Sequence, residues 1–539
     1  MRIYRENNSL KIKSGNSQVW IEPWGENSLR VRMTKEPVMN ENNWALCEPV
    51  KYCEASFSEE TIDVTDPWYM SDEYSRYHQK GVNHTITNGK ITAKVSFEGC
   101  ISFFNQNGEL LTEEYWRNRN RINRYCVPLR VEARELKCYQ GSTDYELTAR
   151  FDFKFEPRDW PDPEGMIREL KELGIETVVS IWPTIDERSE NFGKMADSGY
   201  LVSADRGNGI HMTWMGNTVF YDATNPGARE YVWEKCRENY YKYGIKCFWL
   251  DEAEPEYGPY DFDNYRYYAG PALQCTNIYP LMYVKGFYDG LKSEGETEVL
   301  SLVRCAWAGS QKYGALTWSG DIHSSFRAMR EQLQAGLNMS VAGIPWWTSD
   351  IGGFLGGDIS DPKFRELLVR WFEWGAFCPV FRMHGERSPW HEREEEFING
   401  VRQLTSGQDN EVWSFGEDNF EILKKYLFLR ERLRPYIREC MDEASLSGMP
   451  VMRPLFFDFY KDKTAWKIED EYMFGPDILV APVMEENTSE RKVYLPEGAI
   501  WTDANTKKAY SGGQNVTVPA PLDIIPVFIR DNKKIDIYL

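Results

Sequence analysis

Histidine is scarce, six residues in 539, and the eleven cysteines stand singly without a Cys-x-x-Cys pair. These two scarcities speak against a zinc centre or a disulfide framework and for reduced, buried thiols. Asp261 and Asp263, in Tyr-Asp-Phe-Asp-Asn, lack the other ligands of a calcium loop, so no metal is expected. Long apolar runs are missing too. No stretch reaches the roughly 18 apolar residues of a membrane span, and the N-terminal residues carry no apolar segment of signal-peptide type, so a cytoplasmic location is expected. Positive charge is in deficit, with 63 Lys and Arg against 83 Asp and Glu and a net charge of -20. Such a surface repels nucleic acid and anionic membranes. A neutral ligand suits it better, and the 20 Trp suit the flat faces of sugar rings as well as cores.

What is present falls into three parts. Residues 1–150 carry short alternating segments, such as Gln18-Val-Trp-Ile-Glu, Lys90-Ile-Thr-Ala-Lys-Val-Ser-Phe and Tyr145-Glu-Leu-Thr-Ala-Arg-Phe, between Asn- and Gly-rich turns. This pattern predicts an N-terminal β-sandwich. From about residue 151 helices and strands alternate. Pro161 to Gly174, Pro226 to Gly244, Leu281 to Gly295, Ser324 to Asn338 and Lys363 to Trp374 read as helices. Each leads into an apolar strand, at Ile175 to Pro183, Ile245 to Leu250, Val299 to Arg304, Ser340 to Trp347 and Ala376 to Arg382, and a short extra strand falls at Ala315 to Trp318. Alternation of this kind, without a Gly-rich phosphate loop, predicts a (β/α)8-type TIM barrel over residues 151–445, closed by a long helix from about Tyr426. Residues 446–539 return to β segments and predict a C-terminal β-sandwich.

The strand Ile245 to Leu250 ends in four carboxylates, Asp251, Glu252, Glu254 and Glu256. Because barrel strands present their C-terminal ends to the active site, Asp251 is expected at its floor. The other strand ends supply Arg304, then Trp318 and Asp321, then Trp346, Trp347 and Asp350, then Arg382, His384 and Glu386. Paired carboxylates with aromatics and no nucleotide motif suit glycoside hydrolysis, which calls for no cofactor.

Four motifs carry a family resemblance: Trp249-Leu-Asp-Glu-Ala-Glu-Pro-Glu256, Arg304 through Trp318-Ser-Gly-Asp321, Trp346-Trp-Thr-Ser-Asp350-Ile-Gly-Gly, and Phe381-Arg-Met-His384-Gly. In order and spacing they resemble glycoside hydrolase family 31, most closely its bacterial α-xylosidase branch. The resemblance implies a retaining α-glycosidase acting on terminal α-linked xylose or glucose, with Asp251 as nucleophile and Asp321 as general acid/base. It further implies a sugar subsite drawn from Trp249, Glu254, Arg304, Trp318, Trp347, Asp350 and His384. The chemistry requires Asp251 ionised, which Arg304 favours, and Asp321 protonated before it acts.

Against the family pattern the chain is short. Six barrel strands are legible where eight are expected, and Asp152-Phe-Lys-Phe-Glu-Pro joins sandwich-like sequence almost directly to the helix before the third strand. The implied internal deletion leaves open an impaired sugar-binding remnant, a transglycosidase, and a homo-oligomer whose partner subunit covers the gap.

Overall fold

An amphipathic helix buries its apolar stripe only against another element, so regular helix–strand alternation produces a sheet covered by helices. The computed structural model describes residues 1–114 apart from 16, 36, 45, 47, 50, 65–78 and 98; 153–389 apart from 156–159, 188, 205–217 and 258–259; 397–398 and 401–402; and 407–537. The strand expected at Tyr145 to Phe151 lies outside them. The chain divides into two units, Met1–Lys137 and Cys138–Leu539.

The first unit holds two antiparallel sheets. One has four strands, Arg2–Glu6, Ser9–Ser14, Ser17–Pro23 and Leu29–Thr34, and the other has five, from Ser56–Val64 to Leu110–Glu113, each in sequential order. Alternate residues of both, Leu10, Ile12, Val19 and Ile21 with Ile86, Ala93, Val95 and Ile101, form one core, as the period of two in the sequence dictates.

In the second unit five parallel strands pair in the order Val178–Ile181, Cys247–Leu250, Ser301–Val303, Ala315–Trp318 and Trp347–Thr348. Helices Pro163–Glu172, Pro226–Asn239, Tyr279–Ser293, Phe326–Val341 and Pro362–Gly375 alternate with them. Side chains of Asp162, Asn225, Ser325 and Asp361 cap four of these helices by accepting from the first-turn N–H groups.

The structure corrects several expected boundaries. Residues 376–382 form no strand, because Pro379 has no N–H to give a ladder. Bonds toward the neighbouring strand and the residues after it remain there, Val380 N–H to Trp347 O at 3.2 Å, Thr348 Oγ1 to Val380 O at 3.0 Å and Ile351 N–H to Arg382 O at 3.4 Å. Ser340 and Val341 continue their helix rather than opening a strand, so the strand that follows is only Trp347–Thr348. The long helix starts earlier than expected, at Glu417, and runs to Ser447 with Pro435 inside it.

A six-stranded antiparallel sheet follows and packs on both faces. Tyr472, Phe474, Ile478 and Val480 face the barrel helices, joining Trp371, Trp374, Tyr426 and Leu433 in one core. The intervening Met473 and Leu479 join Val493, Leu495, Trp501 and Phe528 in a second. Arg370, 2% exposed, ties the two layers by donating to the carbonyls of Thr488, Ala520, Pro521 and Ile524. Arg370→Met keeps the bulk but takes a donor from all four carbonyls, of which Pro521 O keeps the Ile524 N–H at 2.9 Å, so a loss of about 3 kcal/mol is expected. An unchanged urea midpoint contradicts this.

Candidate active site

Strand register decides which side chains enter the barrel. Trp249 pairs with Leu302, and Leu302 with Leu316, and all three join Trp318 in a small inward cluster with Leu300, Trp346 and Val380. Leu250 therefore points outward, and Asp251, the next residue, points in again. The Asp251 N–H extends the pairing by donating to Ile181 O at 3.0 Å, and its Oδ1 accepts from the Glu252 N–H at 2.9 Å. Asp251 is 4% exposed and forms the floor, whereas the side chain of Asp321 is 40% exposed and lies toward the rim.

Arg304 stands between them. Its Nε lies 3.6 Å from Asp251 Oδ1 and its Nη1 lies 3.8 Å from Asp321 Oδ2, both beyond hydrogen-bond distance. Its bonds go instead to three glutamates. Glu252 takes Nη1 and Nη2 at 2.8 and 2.9 Å, Glu254 takes Nε and Nη2 at 2.6 and 3.0 Å, and Glu256 takes Nη2 at 2.7 Å.

The electrostatics follow from this arrangement. Burial pushes the Asp251 carboxyl up to about 6, with Arg304 opposing and Asp321 and Glu254 reinforcing. Arg304 favours the ionised form of Asp251, the direction expected, but its N–H groups are committed elsewhere and burial outweighs its charge; Asp251 is still ionised at neutral pH. Burial also raises Asp321, against Arg304 and with Glu254 and Glu256. Glu252 is driven well above the ordinary range by burial. Burial works against the charge of Arg304 as well, yet its carboxylates keep it firmly protonated.

A second charged group lies beside the first. Asp350, 0% exposed, pairs with Arg382, whose guanidinium sits 5.1 Å from the Trp249 ring centre and 5.3 Å from that of Trp318. His384 stands edge-on to Trp249 at 5.0 Å and stacks on Phe354 at 5.3 Å. Burial and the neighbouring Arg382 and Arg387 lower the imidazole to about 3, so it is neutral. Among the described residues, Asp350 Oδ2 and the Nε1 atoms of Trp249 and Trp318 are buried without a hydrogen-bond partner.

Of the expected site residues, Asp251, Trp249, Glu254, Arg304, Trp318, Asp321, Asp350 and His384 come together here. Trp347 does not. It pairs in register with outward-facing Thr317 and packs on Gly336 of the adjoining helix, where an added Cβ would lie 2.5 Å from its Nε1. Its neighbour Trp346 joins the inward cluster instead. Phe354 was not among the expected residues, and Arg382, expected at the mouth, was not expected in the sugar subsite. The signal for Phe354 was Gly352-Gly353: Gly353 has φ +79° and leaves no room for a Cβ, which would lie 2.6 Å from Ser324 N.

Residues 112–439 match the model of the glycosyl hydrolases family 31 TIM-barrel domain, and residues 448–535 match the glycosyl hydrolase family 31 C-terminal domain. The chain belongs to glycosyl hydrolase family 31. It is 36% identical, over 71% of its length and 98% of the relative's, to a protein of Pseudescherichia vulneris described as an uncharacterized family 31 glucosidase. It is 34% identical to the α-xylosidase of Saccharolobus solfataricus, over 70% of this chain but only 48% of that protein. Among solved structures, a family 31 α-xylosidase from a soil metagenome, complexed with xylose, superimposes with TM-score 0.83 at 41% identity over 99% of both chains.

The buried setting of His384 gives a measurable consequence in this family 31 site. In a histidine-labelled sample one of the six imidazoles stays neutral to about pH 4, and His384→Asn removes that signal. A His384 signal titrating near its ordinary value contradicts the described environment.

Proposed function

We propose that the chain is a retaining α-glycosidase that removes terminal α-linked xylose or glucose, with Asp251 as nucleophile and Asp321 as general acid/base. The observation carrying this is the placement of two carboxyls about one guanidinium, the buried one at the floor and the more exposed one at the rim. A retaining mechanism needs one carboxylate beneath the sugar to attack the anomeric carbon and one carboxylic acid positioned to protonate the leaving oxygen. Asp251, ionised at neutral pH, fits the first role. Asp321, raised by burial and able to reach solvent, fits the second and can afterwards take a proton from the incoming water.

Asp350 Oδ2 and the two indole N–H groups supply one buried acceptor and two donors that sugar hydroxyls would satisfy. Trp249, Trp318 and neutral His384 give the ring a flat apolar wall. We assign the sugar subsite to these residues with Arg304 and Glu254, and we assign Trp347 to the barrel wall. The metagenomic α-xylosidase similar over the whole chain makes xylose the first sugar to test.

The domain reading goes with this function: an N-terminal β-sandwich over 1–150, a barrel short of two strands over 151–445, and a C-terminal β-sandwich over 446–539. The paired antiparallel sheets of the first unit, the five parallel strands and the two-core C-terminal part support it. Among the described residues no helix is long and apolar enough to cross a membrane, and the acidic charge suits a cytoplasmic protein acting on neutral oligosaccharides.

The test is hydrolysis of 4-nitrophenyl α-xyloside and α-glucoside. Asp251→Ala and Asp321→Ala are each expected to lower kcat by about three orders of magnitude or more while leaving the circular dichroism unchanged. Turnover retained in either variant contradicts the assignment. In the parent chain kcat/KM should fall as pH drops through about 6, because protonation removes the attacking form of Asp251. A profile flat from pH 7 to 5 contradicts it.

A further inference from the structure

We propose that Glu252 is a positioning residue for the nucleophile: by engaging both terminal nitrogens of Arg304, while Glu254 holds Nε, it keeps that guanidinium from turning its fork onto Asp251, leaving the carboxylate free to attack. The proposal rests on the glycosidase reading above.

A guanidinium has five N–H groups. The bonds of Arg304 to Glu252, Glu254 and Glu256 occupy Nε, Nη2 and one N–H of Nη1, and Asp251 Oδ1 lies 3.6 Å from Nε without a hydrogen bond. Left to compete alone, Asp251 would be the natural bidentate partner, since forked arginine–carboxylate pairs are the strongest of their kind. A carboxylate held that way has its lone pairs engaged and makes a poorer nucleophile. Glu252 also acts from the backbone side, because its own N–H donates to Asp251 Oδ1 at 2.9 Å. One residue thus orients the nucleophile and restrains its cationic neighbour.

The location is costly. Glu252 adopts φ +54°, a left-handed conformation that a glutamate seldom takes, and its carboxyl is 3% exposed. Strain concentrated one residue from the nucleophile is what a site-shaping role produces. The charged and titratable groups around it are Asp251, Glu254 and Glu256 on its own loop and Arg304 and Cys305 from the adjoining strand end; Asp251 in turn faces Asp321 from the next strand end and Tyr283 from the covering helix.

The experiment compares the full-length parent with Glu252→Gln and Glu252→Asp by the pH dependence of kcat and kcat/KM on 4-nitrophenyl α-xyloside. The glutamine variant is expected to lose about tenfold or more in kcat with little change in KM. Its acid limb should move to lower pH, because Arg304 closes on Asp251 and stabilises its charged form. The aspartate variant retains a carboxyl for the Arg304 nitrogens, so its acid limb should stay in place with kcat partly recovered. Glu252→Met repeats the measurement with an apolar side chain if the glutamine variant fails to fold. Parent-like kcat and acid limb in a folded Gln or Met variant overturn the proposal, as does a loss of kcat with an unmoved acid limb. Turnover by the parent tests the glycosidase reading separately, so the two failures are distinguishable.

Discussion

Everything at the mouth of the barrel is arranged about the guanidinium of Arg304. Asp251, Glu252, Glu254, Glu256 and Asp321 crowd into a partly buried space, and without a cation at their centre mutual repulsion and desolvation would protonate or disperse them. The three glutamates satisfy Arg304, and Arg304 lends its charge, though not its hydrogen bonds, to the two aspartates. Asp350 and Arg382 repeat the device on the neighbouring strand end, neutralising a second buried charge beside the indoles. The two guanidiniums therefore offset part of the acidic charge, and the site keeps an attacking carboxylate and a protonatable one.

Alternation along the strands sorts the remaining residues. Trp249, Leu302, Leu316 and Trp318 turn inward, whereas Leu250, Thr317 and Trp347 turn toward the helices. A difference of one position separates a sugar-facing indole from a core one, and for the adjacent tryptophans 346 and 347 the register with Thr317 decides between them. Behind this inner layer the barrel helices share a continuous core with the C-terminal sheet, so the strand ends rest on a firm base.

Much of this was legible in the sequence because the signals were local. Caps and prolines marked the helix starts, and the abrupt change from Phe248-Trp-Leu to Asp251-Glu-Ala-Glu marked a strand ending at a site. What was not legible depended on pairing. Pro379 removed a ladder donor from an otherwise strand-like run. The two indoles could not be told apart without register. The preference of Arg304 for Glu252 over Asp251 is set by where a left-handed residue aims its carboxyl, which no spacing rule reports. Phe354 reached His384 only through the turn at Gly352-Gly353.

In the proposed reaction Asp251 forms a covalent bond to the sugar. Incubation with a fluorinated α-xylosyl fluoride, whose ring fluorine slows breakdown of the intermediate, followed by intact-mass analysis and peptide mapping, tests it most directly. A single added glycosyl unit on Asp251 is expected. Labelling at another residue, or continued turnover of 4-nitrophenyl α-xyloside with no adduct, would contradict it.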